Sequence, residues 1–244
     1  MGKSAIITGA SRGIGRETAR QFALSGYGVM IHYHHNRAGA EALCEELTRA
    51  GADAAVFGAD LSDSAQAEAL TGAAQTRFGT VEVLVNNAGI AQQKLLTDVT
   101  DADWRRMIDV NLSSVFYCCR AVLPHMVRRR SGAIINVSSM WGITGASCEV
   151  HYSAAKAGVI GLTKALAREV GPSGIRVNCV APGVVDTEMN AALPPETMAA
   201  LREETPLMRI GTPLDIARCV LFLAGEGGAF ITGQVLSPNG GMVI

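Results

Sequence analysis

The sequence contains few aromatic residues, almost no net charge and no long apolar run. Phe, Trp and Tyr make up only 5% of its 244 residues, whereas 27 glycines and 48% hydrophobic residues favour a buried sheet under closely packed helices. The formal net charge is −1 and no basic stripe extends beyond residues 128–130, which argues against a nucleic-acid partner. No stretch approaches the roughly 20 apolar residues of a membrane span, and a strand pattern begins at Ser4, too early for a signal peptide. We therefore expect a cytoplasmic protein with no membrane partner.

The six cysteines also lack the spacing of a metal site. They form no Cys-x-x-Cys pair and share no segment with suitably spaced histidines. The sequence thus predicts no bound metal, and it favours small core cysteines in a reducing compartment. Cys148 lies four residues before Tyr152 and is either an ordinary loop residue or a reactive neighbour of that tyrosine.

Apolar, β-rich segments alternate with helical patterns along the whole chain. The pattern predicts seven strands, over residues 4–8, 29–33, 54–58, 83–86, 133–137, 176–181 and 235–237. Strands that alternate with helices form a parallel sheet with helices on both faces. We therefore predict an α/β fold with a single domain, 1–244: a Rossmann-type, doubly wound, seven-stranded parallel sheet in a three-layer αβα arrangement.

Residues 184–213 depart from this alternation. Pro194, Pro195, Pro206 and Pro213 divide the segment into short pieces around a helix predicted near residues 196–204. Long excursions at the carboxyl ends of strands often cover the ligand site of an open α/β sheet. The segment is predicted to be a substrate lid, and a purely structural excursion is the alternative.

A glycine-rich loop follows the first predicted strand and opens a helix. Glycines let backbone amides approach a pyrophosphate, and the helix start presents unpaired N–H groups and a positive dipole end. A glycine trio alone can mark tight turns, but its place between strand and helix favours a dinucleotide. The predicted contacts in this loop are Gly9, Ser11, Arg12, Gly13, Ile14 and Gly15.

The end of the second strand predicts which dinucleotide is preferred. An acid at this point usually holds the adenosine ribose of NAD, and here the position is Tyr33. Arg12 in the loop, with His34 and Arg37 just beyond the strand, favours a 2′-phosphate. The sequence therefore predicts NADP(H), although a solvated basic edge explains Arg37 equally well.

Tyr152 and Lys156 form the pattern most suggestive of chemistry. Four-residue spacing on a helix points a phenol and an ammonium the same way, which creates a proton-transfer pair. Ser139 lies upstream of the pair. Together with the dinucleotide loop, these residues predict a hydride-transfer enzyme.

Several ordered motifs resemble the short-chain dehydrogenase/reductase family, and they span the whole chain. They are Thr8-Gly9-x-x-x-Gly13-x-Gly15, Asn86-Asn87-Ala88-Gly89, Asn111, Ser139, Tyr152-x-x-x-Lys156 and Pro182-Gly183. Within that family the chain is most similar to the β-ketoacyl-acyl carrier protein reductases, through Ala-Ile-Ile-Asn-Val-Ser-Ser at 133–139, Asn-Cys-Val-Ala-Pro-Gly at 178–183 and Asn-Gly-Gly-Met at 239–242.

The resemblance implies a catalytic set. Tyr152 would be the general acid, and Lys156, with the oxidised nicotinamide, would lower the phenol's pKa toward neutrality and hold the nicotinamide ribose. Ser139 would stabilise the substrate oxygen, and Asn111 would hold a water that links Lys156 to solvent. Ser138 is the neighbouring alternative, but the thirteen-residue step to Tyr152 favours Ser139.

The resemblance also implies further cofactor contacts besides Tyr152 and Lys156. Asp60 and Leu61 would lie near the adenine, although Asp60 could instead cap a helix. The remaining expected contacts are Asn87, Ala88 and Gly89 on the adenosine side, Thr187 over the nicotinamide carboxamide, and Pro182, Gly183 and Val185 nearby.

Partners follow from the same resemblance. It implies reduction of 3-oxoacyl groups in fatty-acid synthesis and a homotetramer formed through helices at 101–130 and 150–170 and the C-terminal strand region. Arg128, Arg129 and Arg130 could dock an acyl carrier protein or simply complement a helix end. Ser173 stands where some relatives carry a second docking arginine, which weakens the carrier-protein interpretation.

The residues before the catalytic tyrosine leave the substrate open. Glu149 could select a polar or cationic substrate or point to solvent, and His151 is more typical of a packing residue than of a second acid. The alternatives are therefore a dehydrogenase of another alcohol or ketone, such as a sugar, steroid or small carbonyl, and a non-catalytic NADPH-binding regulator or scaffold.

Overall fold

A seven-stranded parallel sheet lies at the centre of the structure, a computed structural model that describes residues 2–191 and 193–244. The strand order is β3-β2-β1-β4-β5-β6-β7, which confirms the predicted doubly wound sheet. The strands are β1 (Ser4–Ile7), β2 (Gly28–Tyr33), β3 (Ala54–Gly58), β4 (Val83–Asn86), β5 (Gly132–Val137), β6 (Ile175–Val180) and β7 (Val235–Leu236).

Helices cover both faces of the sheet. They are α1 (Gly13–Leu24), α2 (Arg37–Arg49), α3 (Ser64–Phe78), α4 (Asp101–Ile108), α5 (Ser114–Arg129), α6 (Trp141–Thr144), α7 (Val150–Val170), α8 (Pro195–Glu204) and α9 (Pro213–Ala224). A capping box of Thr100 and Asp103 begins α4, and Thr212 and Asp215 form a second one at α9.

Alternate residues of each strand enter two separate cores. Ile7 on β1 packs in the layer that contains Phe22 of α1 and Val220 of α9. Its neighbour Ile6 faces the opposite layer with Val122 of α5. Burial of an aliphatic side chain stabilises the folded state by about 1.5–3 kcal/mol. These aliphatic cores therefore stabilise the sheet although the chain has few aromatic residues.

The strand order reverses direction between β1 and β4, and this point positions the site. In open α/β sheets, ligands bind outside the carboxyl ends of the strands at such a switch point. The glycine loop follows β1 there, and the Asn-Asn-Ala-Gly turn of residues 86–89 follows β4.

The segment predicted as a lid contains α8 and leaves the sheet after β6. Its two ends meet where Val185 pairs with Gly211 in an isolated parallel bridge. The helix begins at Pro195, one residue before the predicted start, and buries none of its side chains.

Among the described residues, no helix combines the length and apolar character needed to cross a membrane. In the same part of the chain, no group of three or more His, Cys, Asp or Glu side chains could hold a metal ion.

Candidate active site

The glycine loop forms a cradle that a side chain would fill. Gly9 and Gly13 adopt positive φ angles of +64° and +53°, a region that favours glycine. A Cβ on Gly15 would lie 2.3 Å from the Gly9 carbonyl oxygen and 2.5 Å from the Asn87 Nδ2 atom. Arg12 precedes α1 and its side chain does not cap the helix, so first-turn N–H groups stay available to an anion. The loop therefore fits the pyrophosphate of a dinucleotide.

Hydrogen bonds join this loop to the end of β4. The Thr8 hydroxyl accepts the backbone N–H groups of Asn87 and Ala88, both at 2.9 Å. The Asn87 side chain donates to the carbonyls of Thr8 and Gly9 at 2.9 and 3.2 Å. The predicted contacts on β1 and β4 thus form one connected wall.

A buried histidine, His32 on β2, also holds the loop, and the sequence interpretation missed it. Its Nδ1 accepts the Gly9 N–H at 3.1 Å, and its Nε2 lies 3.0 Å from the Ala59 carbonyl oxygen. Burial lowers the pKa of His32 to about 4, so the ring is neutral with its proton on Nε2. The only sequence signal was a polar residue within an apolar strand.

We expect His32→Leu to weaken NADPH binding about tenfold, because an unpaired buried donor costs about 1–3 kcal/mol. The rate at saturating NADPH should change little, since His32 is remote from the reacting groups. Fluorescence titration of NADPH measures the effect. The matched control is His32→Gln, whose amide can accept from Gly9 and donate to Ala59 and should restore affinity. Unchanged affinity in His32→Leu would contradict this role.

The basic residues predicted near the adenosine ribose behave differently from one another. Arg37 forms an ion pair with Glu41 at 2.7 Å on α2. His34 stacks on His35 and lies 3.8 Å from Asp60. The Arg12 side chain is exposed, and among residues 2–191 and 193–244 it has no ion-pair partner within 4.0 Å. Arg12 and His34 thus remain the better candidates for contacting a 2′-phosphate.

Tyr33 and Asp60 stand at the ends of neighbouring strands. The Tyr33 ring covers Gly58, where an added Cβ would lie 2.8 Å from its hydroxyl. Asp60 accepts hydrogen bonds from the Ser62 N–H and hydroxyl at 3.0 and 2.7 Å. The cap of α3 is Asp63, so Asp60 stabilises a turn rather than that helix.

The remaining predicted contacts lie around the carboxyl edge. Thr187 faces the glycine loop, because a Cβ on Gly13 would lie 3.3 Å from its Cγ2 atom. The Pro182 carbonyl accepts the Met140 N–H at 2.9 Å, which ties the end of β6 to the segment after β5. Leu61 and Val185 are buried. Gly183 packs against Asn239, and Gly89 against Asn111.

A cleft of about 660 Å³ lies between α1 and residues 186–191 and 193–198, and is lined by Gly13 and Thr187. Its lining does not include Ser139, Tyr152 or Lys156. Its Arg16 and Arg20 both pair with Glu46, at 3.2 and 2.7 Å, and Arg20 also pairs with Glu17, so both cations already have acidic partners. The cleft is therefore an extension of the dinucleotide wall rather than the place of chemistry.

The predicted catalytic residues are all buried at the carboxyl edge. Ser139 follows β5, whereas Tyr152 and Lys156 lie on α7. The Lys156 Nζ atom lies 5.8 Å from the centre of the Tyr152 ring and donates to the Val137 carbonyl at 3.0 Å. The helical spacing thus brings the phenol and the ammonium together, as predicted.

The adjacent residues Ser138 and Ser139 have different roles, one structural and one chemical. The Ser138 hydroxyl donates to the Lys156 carbonyl at 2.8 Å and is thereby used for packing. The Ser139 hydroxyl accepts the Trp141 N–H at 3.2 Å, and its nearness to Tyr152 lowers the pKa of that phenol, which partly opposes the effect of burial. Ser139 is therefore the serine that faces the phenol.

Burial moves the two pKa values of the pair in opposite directions. It raises the pKa of Tyr152 to about 12, against the expected fall toward neutrality. It lowers the pKa of Lys156 to about 8. Desolvation is the largest cause at both residues, because it disfavours the charged phenolate and the charged ammonium alike. Tyr152 therefore carries its proton at neutral pH, as a general acid must.

Asn111 lies in a π-helical turn, Asp109–Ser113, that separates α4 from α5. The predicted continuous helix over 101–130 is therefore interrupted here, since the extra residue turns Asn111 inward. Its Nδ2 donates to the carbonyls of Ile90 and Met107, both at 3.1 Å, and its Oδ1 accepts the Ile90 N–H at 3.2 Å. Asn111 thereby fixes the loop after β4.

The loop before Tyr152 and the start of α7 contact the loop after β4 through three hydrogen bonds. The Lys94 N–H donates to the Cys148 carbonyl at 2.7 Å. Gln93 contacts Glu149 at 3.4 Å, and Gln92 accepts from His151 Nε2 at 2.9 Å. Glu149 is buried, so the suggestion that it points to solvent is wrong. His151 is fully buried, as expected for a packing residue.

The arginine run lies away from these groups within one chain. It ends α5 and precedes β5, whereas Ser139 follows β5. A strand of this length spans about 20 Å, so the run and the site lie at opposite edges of the sheet. Arg129 pairs with Glu82 at 2.8 Å, and Arg130 donates to the Pro172 carbonyl at 3.4 Å.

Comparison with known proteins agrees with this arrangement. A family model described as enoyl-(acyl carrier protein) reductase matches residues 9–243. The chain is 45% identical over 242 residues to the 3-oxoacyl-[acyl-carrier-protein] reductase FabG of Staphylococcus aureus (strain N315), covering 99% of this chain and 98% of that protein. It is 42% identical over 240 residues to the enzyme of the same name from Chlamydia muridarum, covering 98% and 97%. The chain therefore belongs to the short-chain dehydrogenase/reductase family.

Proposed function

We propose that the protein reduces a ketone to a secondary alcohol with NADPH, and that its substrate is a 3-oxoacyl group on acyl carrier protein in fatty-acid synthesis. Membership of the family implies a nicotinamide cofactor. The observation that carries the proposal is the buried group of Ser139, Tyr152 and Lys156 beside the glycine cradle. The two relatives named above, both 3-oxoacyl-[acyl-carrier-protein] reductases, support the substrate.

Each residue of the site has a separate task in this reaction. The bound nicotinamide supplies the hydride. Tyr152 donates a proton to the carbonyl oxygen, and the Ser139 hydroxyl donates a hydrogen bond to the same oxygen as negative charge develops on it. The Lys156 ammonium stabilises the resulting tyrosinate and holds the ribose hydroxyls. Asn111 keeps the adjoining loop in place and holds a water for proton resupply.

Preference for NADPH over NADH rests on charge. Tyr33 stands where an acid would otherwise repel a 2′-phosphate, and the exposed Arg12 is free to contact one. His34 adds a donor at the end of β2.

Assembly with partners is a further part of the proposal. Trp104 of α4 and Phe116 of α5 leave 43% and 45% of their surfaces exposed, which supports packing of these helices in a homotetramer. Arg128, Arg129 and Arg130 are the proposed docking residues for an acyl carrier protein. A cytoplasmic location stays a prediction.

A second function, reduction of another ketone, is favoured by the buried carboxylate of Glu149 beside Tyr152. An acyl chain offers such a charge no partner. The intact set of Asn111, Ser139, Tyr152 and Lys156 argues against a non-catalytic regulator or scaffold.

The test is the initial rate of NADPH oxidation with a short 3-oxoacyl thioester, measured beside NADH and beside a panel of sugar, steroid and small carbonyls. We expect the thioester to be reduced, with NADPH preferred by at least about tenfold, which corresponds to about 1.4 kcal/mol. Reduction of other carbonyls without thioester turnover would favour the second function. Tight NADPH binding with no turnover of any carbonyl would reject both.

A further inference from the structure

The start of α7 carries Tyr152 but lacks a contact that usually stabilises a helix end. Helix α7 begins at Val150, so Tyr152 lies in its first turn. The side chain of the N-cap residue, Glu149, accepts no hydrogen bond from the N–H groups of this turn. The preceding Cys148 has a φ of +60°, an unfavourable angle for a residue with a side chain. The position of the Tyr152 hydroxyl therefore depends on contacts from other elements.

Those contacts include a hydrogen-bond network of Gln92, Lys94, Asp103, Cys148 and His151, which we call the Asp103 network. On one side, His151 Nε2 lies 2.9 Å from Gln92 Oε1, and Gln92 Nε2 donates to Asp103 Oδ1 at 3.2 Å. On the other side, the Lys94 ammonium donates to Asp103 Oδ2, and the Lys94 N–H donates to the Cys148 carbonyl, both at 2.7 Å. Cys148 and His151, on either side of the start of α7, are thereby tied to the first turn of α4.

Asp103 determines how the other groups of the network are oriented. The hydrogen bond from Lys94 holds the pKa of Asp103 well below its usual range, so its carboxylate can only accept. Gln92 must therefore direct its amide N–H toward Asp103 and its carbonyl oxygen toward His151, which carries its proton on Nε2. His151 Nδ1 is buried and has no hydrogen-bond partner in the described part of the chain, so the hydrogen bond to Gln92 alone orients the imidazole.

The network also lies next to the elements that surround the phenol. Tyr152 packs with Met107 of α4 and with Ala155 in a buried cluster, and Ile90 of the loop after β4 packs against that cluster. The network joins these same elements to α7. A group that donates a proton in a reaction must be held within about 0.5 Å of its productive position. Displacement of the first turn of α7 would move the phenol by more than that.

We infer that Gln92 and His151 are positioning residues, which hold the first turn of α7 and with it the Tyr152 hydroxyl. The inference rests on the proposed ketone reduction, in which Tyr152 is the proton donor. Neither residue needs to contact the substrate or the cofactor for this role. Loss of their hydrogen bond should therefore lower kcat while the KM for NADPH changes little.

Steady-state reduction of a short 3-oxoacyl thioester tests this role. We expect His151→Leu and Gln92→Leu each to lower kcat by about tenfold, the effect of losing one hydrogen bond. The double variant should lose no more than either single variant, because both remove the same contact. His151→Gln, whose amide can donate to Gln92, should restore kcat. The control Gln21→Leu removes a glutamine hydrogen bond of 2.8 Å to Glu17 on α1, and it should keep the wild-type kcat.

Hydrogen exchange separates this inference from the proposed function. The Lys94 and Ser153 N–H groups donate to the Cys148 and Glu149 carbonyls at 2.7 and 2.8 Å, so their exchange reports the joined segments without turnover. We expect both amides to exchange about tenfold faster in His151→Leu than in the wild-type protein. Gln92 is a half-buried loop residue, so Gln92→Leu provides the same test if His151→Leu lowers stability.

The outcomes differ for the two proposals. Faster exchange in both variants of a protein that reduces no ketone would reject the proposed function alone. Unchanged exchange, an unchanged kcat in either single variant, or additive losses in the double variant would overturn the inference and leave ketone reduction standing.

Discussion

Replacing Tyr152 with Phe is expected to lower kcat for ketone reduction by about a thousandfold, within the range of a positioned general acid. The substitution removes one hydroxyl and keeps the ring, which packs with Met107 and Ala155 in a small buried cluster. Cofactor affinity should therefore change little. Steady-state kinetics and an NADPH titration of the same variant measure the two quantities.

A second tyrosine provides the control. Tyr27 is buried to the same degree as Tyr152, with 8% exposure, but packs against Phe22 in the opposite core. Tyr27→Phe should keep the wild-type rate. A Tyr152→Phe variant that retains a tenth of that rate would show that another group supplies the proton.

The pH dependence of the reduction rate tests the role of Lys156, the partner of Tyr152. Because the pKa of Lys156 is lowered to about 8, its charge is present below that pH and lost above it. The rate of reduction should therefore decline as the pH rises through about 8, where Tyr152 with a pKa of about 12 still carries its proton. The rate falls rather than rises with pH, because the charged ammonium must stabilise the tyrosinate that forms.

Gly15→Ala is expected to weaken NADPH binding by about a hundredfold, or about 2.7 kcal/mol, and to lower the melting temperature. The added methyl group would lie within 2.5 Å of Gly9 and Asn87, and neither the Gly9 carbonyl nor the anchored amide can move freely. Overpacking of this kind typically costs about 1–3 kcal/mol. The cradle must open to relieve it, which displaces the amides that hold the pyrophosphate.

The control for Gly15 is a glycine in open space. A Cβ on Gly72 of α3 would have no neighbour within 4 Å, so Gly72→Ala should bind NADPH normally. Its stability should rise slightly, because alanine is favoured over glycine in a helix by about 0.5–1 kcal/mol. Normal NADPH affinity in Gly15→Ala, measured by titration, would contradict the cradle as described.

Local spacing was sufficient to predict the sheet and the reactive pair. Apolar, β-rich segments located all seven strands to within a residue or two, because most of the strands are buried on both faces and therefore read as continuous apolar runs. The four-residue step from Tyr152 to Lys156 placed both side chains on one face of α7. Such features depend only on residues that are close together in the sequence, so a single sequence is sufficient to predict them.

Features that depend on distant contacts were not predictable. His32 looked like one polar residue in a strand until Gly9 and Ala59 were seen on either side of it. The burial of Glu149 depends on the loop that carries Gln93. The arginine run is adjacent to β5 in sequence, but only the parallel topology shows that it lies at the edge opposite to Ser139.

This site is proposed to transfer a hydride to a carbonyl carbon while Tyr152 donates a proton to the carbonyl oxygen. The most direct measurement uses NADPH with deuterium at both C4 positions of the nicotinamide, and a short 3-oxoacyl thioester or a ketone that the protein reduces. We predict one deuterium at the carbinol carbon of the product, with none formed by Tyr152→Phe in the same time. Consumption of NADPH without deuterium at that carbon, or equal labelling by the variant, would contradict the claim.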